Sequence, residues 1–190
     1  VTPFATIWDY AADKKLSLFS PKIFPRAAYV DAELLHNIPL DIALSTGLDA
    51  VNQSFESIWN KNANPATRAI AIESICLGMA GLLRLNRLGE DIDLAQDLAT
   101  ASVMSGVAIS NTRTSVCHSI SYPLTLQFDL PHGFACAFTM LAVYEFNKAA
   151  IGPPLAAISA RYNGQEPRRI LENIFEKYLR KSVYLGVSES

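Results

Sequence analysis

From residue 39 onward, apolar residues recur at the spacing of an α-helix, and this pattern constrains the fold more than any other feature. The first stretch covers residues 39–60, with Ile42, Leu44, Leu48, Val51, Phe55 and Ile58 on or near one face. Further helices are predicted over residues 65–89, 91–109, 131–149, 154–162 and 167–182. The stretch 112–127 is apolar but contains Pro123, and it is left unassigned. The sequence therefore predicts a mainly α fold, a helical bundle.

The first 38 residues have a different pattern. Residues 5–8 and 16–19 are β-prone runs on either side of a polar connection, which predicts a hairpin, and residues 27–30 predict a third strand. Strands this short do not bury a face alone. We therefore expect residues 1–38 to form an N-terminal β appendage and residues 39–190 to form an all-helical domain.

Charge and composition exclude several classes of function. The chain has 16 Lys+Arg and 18 Asp+Glu, a net charge of −2, so no nucleic-acid partner is expected. Charged or polar residues interrupt every apolar run before it reaches the roughly eighteen residues that span a bilayer, so no membrane contact is expected. The three cysteines are odd in number and form no CxxC pair, which favours a reducing, cytoplasmic location.

Four residues are candidates for a metal site. Asp49 lies inside an apolar helix, where a charged carboxylate without a partner is costly. Gln53, four residues later, shares its helix face, and His118 and His132 lie in apolar surroundings elsewhere. One carboxylate and two imidazoles from separate helices would form a divalent-metal site with open positions. The alternative remains open that Asp49 caps the local backbone and both histidines are hydrogen-bonded core residues.

These residues occur in an order that resembles the iron-containing (group III) alcohol dehydrogenases. The resemblance rests on the segments Gly47-Leu48-Asp49-Ala50, Phe55-Glu56-Ser57, His118 and Leu130-Pro131-His132-Gly133. Residues 1–7 resemble the segment that follows the glycine-rich cofactor motif of that family. Within the family, residues 56–65, 112–114 and 121–125 look most like the hydroxyethylphosphonate dehydrogenases, also called phosphonoacetaldehyde reductases.

The resemblance implies a dehydroquinate-synthase-like helical domain in which Asp49, His118 and His132 are metal ligands. The usual fourth ligand of the family is a histidine, and Gln53 stands at its position. Either Gln53 binds as a weaker fourth ligand, or water completes the site, so zinc stands beside ferrous iron as a candidate ion. Tyr122 takes the place of a second histidine near the substrate, and it is the catalytic candidate.

The implied reaction is the reduction of a small aldehyde, or the reverse oxidation of an alcohol. The metal would polarise the carbonyl oxygen while NAD(P)H supplies hydride. In the family, the cofactor domain lies upstream of such a segment and the helical domain continues beyond it. On the resemblance we expect this chain to be a fragment, inactive alone, of a homodimeric enzyme whose cofactor domain includes residues 1–38.

Two other interpretations remain. A dehydroquinate-synthase-like lyase shares the architecture and the carboxylate–two-histidine site. The substrate of such a lyase carries phosphate and several hydroxyl groups, and binding it requires more cationic side chains near the two histidines than Arg113 alone. Arg113 is also the one obvious candidate near the motif for binding a phosphonate group. The third interpretation is a non-catalytic helical interaction domain.

Overall fold

The computed structural model describes residues 1–9, 11–12 and 14–179. Within them it contains two strands and seven α-helices: β1 (Phe4–Asp9), β2 (Lys14–Phe19), α1 (Leu40–Trp59), α2 (Pro65–Leu83), α3 (Ile92–Thr112), α4 (Val116–Phe128), α5 (His132–Asn147), α6 (Gly152–Arg161) and α7 (Pro167–Tyr178). Short 3-10 segments lie at Pro21–Ile23, Ala32–Leu35, Leu85–Arg87 and Lys148–Ile151. The predicted mainly α fold with an N-terminal hairpin is confirmed.

The hairpin is antiparallel, with Phe4 opposite Phe19. Two residues of the predicted polar connection, positions 10 and 13, lie outside the described residues. The predicted third strand is wrong, because residues 27–30 lie in the described part of the chain and pair with no neighbouring strand there. A β-prone run becomes a strand only when its backbone groups pair across a ladder.

Helix α1 is the centre of the bundle and packs against α2, α3 and α5. The apolar residues in the middle of its stripe, among them Leu48, Val51 and Phe55, have no solvent exposure. Ile42, the first residue of the predicted stripe, is 50% exposed, whereas Ala43 and Leu44 after it are buried. Of the helices in the described residues, α1 has the largest share of buried positions, and it carries the candidate carboxylate Asp49.

The ends of several helices differ from the prediction. Helix α2 ends at Leu83 rather than near Gly89, and α3 continues to Thr112. Residues 116–128 form α4 although Pro123 lies inside it, and the left-handed backbone of Asp129 (φ 51°) ends this helix. Residues 180–182 of the last predicted helix lie outside the described residues.

By length and composition, α2 would suffice to cross a membrane, with a mean hydropathy of 1.5 over its most apolar window. Arg68 and Glu73 interrupt the apolar run of this helix, which is why the sequence contains no uninterrupted run of that length here. In the fold, half of that window is buried, and α2 packs against α1, α3, α6 and α7. The apolar composition of α2 is thus the composition of an interior helix of the bundle.

Candidate metal centre

Three helices bring the predicted ligand residues to one point. Asp49 comes from α1, His118 from α4, and His132 is the first residue of α5. The distance from Asp49 Oδ1 to His118 Nε2 is 3.1 Å, and the distance from the same oxygen to His132 Nε2 is 3.8 Å. Side chains that are up to 83 positions apart in sequence (132 − 49) therefore meet across one helix junction.

Cys136 joins this group, and the sequence reasoning missed it. Its Sγ lies 3.7 Å from His132 Nε2, and the four ligand atoms of Asp49, His118, His132 and Cys136 all lie within 4.8 Å of one another. Cys136 has no solvent exposure. The signal was available, since Cys136 follows His132 by four residues on a helix, and residues at this spacing share a face.

The donor atoms fit a divalent ion. A tetrahedral ion with ligand bonds of about 2.0–2.3 Å separates its ligand atoms by about 3.3–3.8 Å. Three pairs of the donor atoms lie near that interval, at 3.1, 3.8 and 3.7 Å, and all pairs lie within 4.8 Å. Asp49 Oδ1 and His118 Nε2 are buried and form an ion-pair contact at 3.1 Å, but neither atom makes a contact with the geometry of a hydrogen bond. Buried polar atoms require a partner, and a cation at their common point would serve both.

Glu56 orients His118 for this role. The carboxylate Oε2 lies 2.7 Å from His118 Nδ1, so this ring nitrogen carries the proton and Nε2 is left to face Asp49. Glu56 has no solvent exposure and also accepts hydrogen bonds from the backbone of Ser115 and Cys117 at the start of α4. The sequence reasoning gave Glu56 no role, although it follows Asp49 by seven residues on the same helix.

Ser121 orients the second histidine. Its hydroxyl donates to the backbone oxygen of His118 at 2.7 Å, and its oxygen lies 3.3 Å from His132 Nδ1. Because the hydroxyl proton is already used, His132 Nδ1 is the donor in that contact. The lone pair of His132 Nε2 is therefore on the side of Asp49 and Cys136.

The pKa values show that this group of side chains favours positive charge. Burial by itself would lower the pKa of His118, but its contacts with Asp49, Cys136 and Glu56 outweigh burial and raise the pKa to about 12. Burial by itself would raise the pKa of Glu56 and of Cys136, yet hydrogen bonding to His118 brings both pKa values below their usual range. The carboxylates of Asp49 and Glu56 therefore favour a positive charge at the position of the His118 ring.

Gly133 allows α5 to approach α1 closely enough to build the site. A Cβ atom at this position would lie 1.7 Å from the backbone oxygen of Ser45, so no other residue fits without moving a helix. Asn52 of α1 then donates to the backbone oxygen of Cys136 at 3.2 Å, which ties the next turn of α5 to the same helix.

The other two predicted site residues lie beside the group. Gln53 Nε2 donates to Asp49 Oδ2 at 2.9 Å, and Gln53 Oε1 accepts from Ser105 Oγ at 3.0 Å. The half-buried Tyr122 stacks on the ring of His132, with 6.2 Å between ring centres and 9° between ring planes. Tyr122 is thus adjacent to a candidate ligand, as a residue that touches the substrate would be.

A cavity of about 340 Å³ opens beside Asp49 and His132. No Lys or Arg is among the described residues that line it. Arg113 lines a separate cavity of about 1060 Å³, and its guanidinium lies 4.6 Å from the centre of the Phe19 ring. The cation proposed as a phosphonate partner therefore packs against the hairpin instead of lining the cavity at the metal centre.

Comparison with known proteins gives a consistent family. The sequence model described as Fe-containing alcohol dehydrogenase family, C-terminal, matches residues 43–178. Over 149 residues the chain is 38% identical to the phosphonoacetaldehyde reductase of Streptomyces viridochromogenes and 35% identical to the NAD-dependent methanol dehydrogenase of Bacillus methanolicus. Each match covers 78% of this chain, but only 38% and 39% of the relatives, so the chain spans about two fifths of their length.

Solved structures share the fold. The sulfoacetaldehyde reductase of Bifidobacterium kashiwanohense, solved in complex with NAD⁺, matches with a TM-score of 0.83 and 25% identity, over 99% of this chain and 49% of that one. An archaeal halo-thermophilic alcohol dehydrogenase from a Red Sea brine pool matches with a TM-score of 0.84 and 24% identity, over 100% of this chain and 51% of that one.

Proposed function

The chain belongs to the Fe-containing alcohol dehydrogenase family, and on that premise we propose that it supplies the metal centre of an NAD(P)-dependent alcohol dehydrogenase or aldehyde reductase. The observation that carries the proposal is the meeting of Asp49, His118 and His132 at one point, with two buried atoms there that lack hydrogen-bond partners. The family match favours this reaction over the lyase and over a non-catalytic helical domain.

The residues have separate roles in the proposed reaction. Asp49, His118 and His132 would hold a divalent ion, ferrous iron or zinc, and that ion would supply Lewis acidity toward a carbonyl oxygen. Glu56 and Ser121 orient the two rings, and Gln53 positions the Asp49 carboxylate. NAD(P)H supplies the hydride, a role supported by the NAD-dependent relative and by the NAD⁺ complex of a similar structure.

Tyr122 is the proposed proton donor. It follows His118 by four residues on α4, and its ring stacks on His132. A phenol hydroxyl in this position can donate a hydrogen bond, and then a proton, to the substrate oxygen as the alcohol forms.

The proposed substrate is a short aldehyde, and phosphonoacetaldehyde is the specific candidate. Its support is the similarity to a phosphonoacetaldehyde reductase at 38% identity. The cavity beside Asp49 does not add to that support, because the described residues that line it carry no cationic side chain. Turnover of acetaldehyde equal to or better than that of phosphonoacetaldehyde would rule out the specific candidate and leave the reaction class standing.

Metal analysis tests the proposed function. We expect the purified protein to bind about one divalent ion per chain, and His132→Ala to lose most of it while keeping its helical circular dichroism. His36→Ala is the matched control, because His36 lies elsewhere and contacts the backbone oxygen of Gly89. A protein that binds no divalent ion, with no change in His132→Ala, would rule out the metal centre.

A homodimer and a cytoplasmic location remain proposals. The hairpin exposes about half of the surface of Ile7, Leu16 and Leu18, apolar area that a second copy of the chain would cover. All three cysteines are buried free thiols, as in proteins of a reducing compartment. The molar mass in solution, measured by light scattering, tests the dimer.

A further inference from the structure

The proposed metal centre has a fourth ligand position, and the side chains around it indicate which residue occupies that position. Asp49, His118 and His132 supply three donor atoms, and two further side chains, Gln53 and Cys136, lie close enough to be considered. They offer different chemistry, because an amide oxygen is a hard neutral donor and a thiolate is a soft anionic one.

Gln53 already uses both ends of its amide. The nitrogen donates to Asp49 Oδ2 at 2.9 Å, and the oxygen lies 3.0 Å from Ser105 Oγ, whose single proton it shares with the backbone oxygen of Ser102 at 2.8 Å. Turning the amide over would set its oxygen against the carboxylate oxygen of Asp49, an unfavourable contact between two acceptors. Gln53 therefore acts as a positioning residue that holds the non-coordinating oxygen of Asp49.

Cys136 meets the requirements of a ligand. Its Sγ is one of the four atoms that lie within 4.8 Å of one another, and it is 3.7 Å from His132 Nε2. A nitrogen at about 2.05 Å and a sulfur at about 2.3 Å from one tetrahedral ion would be about 3.6 Å apart. His132 and Cys136 both lie in the first two turns of α5. Gly133 and the hydrogen bond from Asn52 hold these turns against α1.

We propose that Cys136, and not Gln53, completes the coordination, so that the donor set is one carboxylate, two imidazoles and one thiolate. The inference rests on the proposed metal centre. On binding, the thiol releases its proton to solvent and the sulfur lone pair forms the bond to the ion. A thiolate favours zinc over ferrous iron. Zinc can add a fifth ligand during a reaction, so a substrate oxygen is still accommodated.

Cobalt(II) substitution tests the inference by spectroscopy rather than by activity. We expect the purified, metal-stripped protein to take up one Co²⁺ per chain and to show the near-ultraviolet charge-transfer absorption of a thiolate–cobalt bond. Cys136→Ala should lose that absorption, and its zinc affinity should fall by at least roughly 10–100-fold, the loss seen when even an outer partner of a ligand is removed.

Two variants serve as controls. Cys117→Ala removes a thiol that is equally buried and lies next to His118 but outside the four-atom group, so the absorption should remain. Gln53→Ala should keep the absorption of each bound ion but weaken the affinity for Co²⁺, because it removes the amide that holds Asp49 Oδ2. Cys136→Ser removes the thiolate but keeps nearly the same side-chain volume, so it should also lose the absorption. Circular dichroism shows whether the variant keeps its helical fold.

The outcomes distinguish the two proposals. Cobalt binding without the charge-transfer absorption, or with absorption that persists in Cys136→Ala, would overturn the role of Cys136 and leave the metal centre intact. Failure of the unmodified protein to bind Co²⁺ or Zn²⁺ would overturn the proposed function as well.

Discussion

Glu56 Oε2 of α1 lies 2.7 Å from His118 Nδ1 of α4, and this buried contact joins the central helix to a candidate metal ligand. The carboxylate also binds the backbone of Ser115 and Cys117, so one side chain fixes both the start of α4 and the orientation of the histidine. The position of His118 Nε2 therefore depends on a residue that would not itself touch the metal.

Replacement of Glu56 by glutamine tests this dependence. We expect Glu56→Gln to weaken zinc binding by roughly 10–100-fold, because a neutral amide holds the His118 ring without the charge that strengthens its Nε2 as a ligand. The measurement is a competition titration against a chelator. Glu73→Gln, which removes a carboxylate that pairs with Arg161 at the surface, should bind zinc normally. Equal affinities in the two variants would contradict the role of Glu56.

A methyl group at position 133 should force α1 and α5 apart. The added Cβ of Gly133→Ala would lie 1.7 Å from the backbone oxygen of Ser45, and overpacking of this kind costs about 1–3 kcal/mol of unfolding free energy. Urea unfolding measures the loss, and metal content should fall with it. An unchanged urea midpoint in Gly133→Ala would contradict the close approach of α5 to α1.

A metal held between α1, α4 and α5 should stabilise the fold. At a free zinc concentration 100-fold above the dissociation constant, the unfolding free energy should rise by about 2.7 kcal/mol, and a chelator should reverse the rise. Asp49→Ala removes a ligand from the central helix and should abolish the zinc-dependent part. A zinc response in Asp49→Ala that matches the unmodified protein would place the bound ion elsewhere.

Tyr122→Phe tests the proposed proton donor. The phenylalanine keeps the ring that stacks on His132 and removes only the hydroxyl. We expect kcat for aldehyde reduction by the active enzyme to fall by roughly 10²-fold or more, with metal content unchanged. A variant with an unaltered kcat would show that Tyr122 contributes packing alone.

Stability should decrease at alkaline pH through Tyr162. Burial is the main cause of its raised pKa, and the hydroxyl donates to the backbone oxygen of Cys76 at 2.7 Å. Because the folded pKa exceeds the unfolded value of about 10, the contribution is present below pH 10 and is lost as pH rises above it. Tyr162→Phe should therefore show a shallower fall in urea midpoint between about pH 9 and 11. The 96% exposed Tyr29, replaced by phenylalanine, is the control.

Local sequence determined the hairpin, most of the helices and the position of each candidate along its helix. The apolar spacing predicted α1 with Asp49 and Gln53 on one face, and Pro131 predicted a helix that begins beside His132. These features depend on neighbours within a few positions, so periodicity and capping report them. Pro123, a local helix breaker, left residues 112–127 without a predicted element. A helix forms there because the packing of α4 against α5 outweighs the effect of this proline.

Only the tertiary structure decided which side chains share the site. The approach of α5 to α1 at Gly133 brings His132 and Cys136, which are neighbours on α5, beside Asp49, and the packing of α3 against α1 pairs the Gln53 amide with Ser105. Glu56 acquires its role only because α4 starts against it. Residues far apart in sequence meet through helix packing, which is set by the combined shape of all the helices, and no spacing along the chain records that shape.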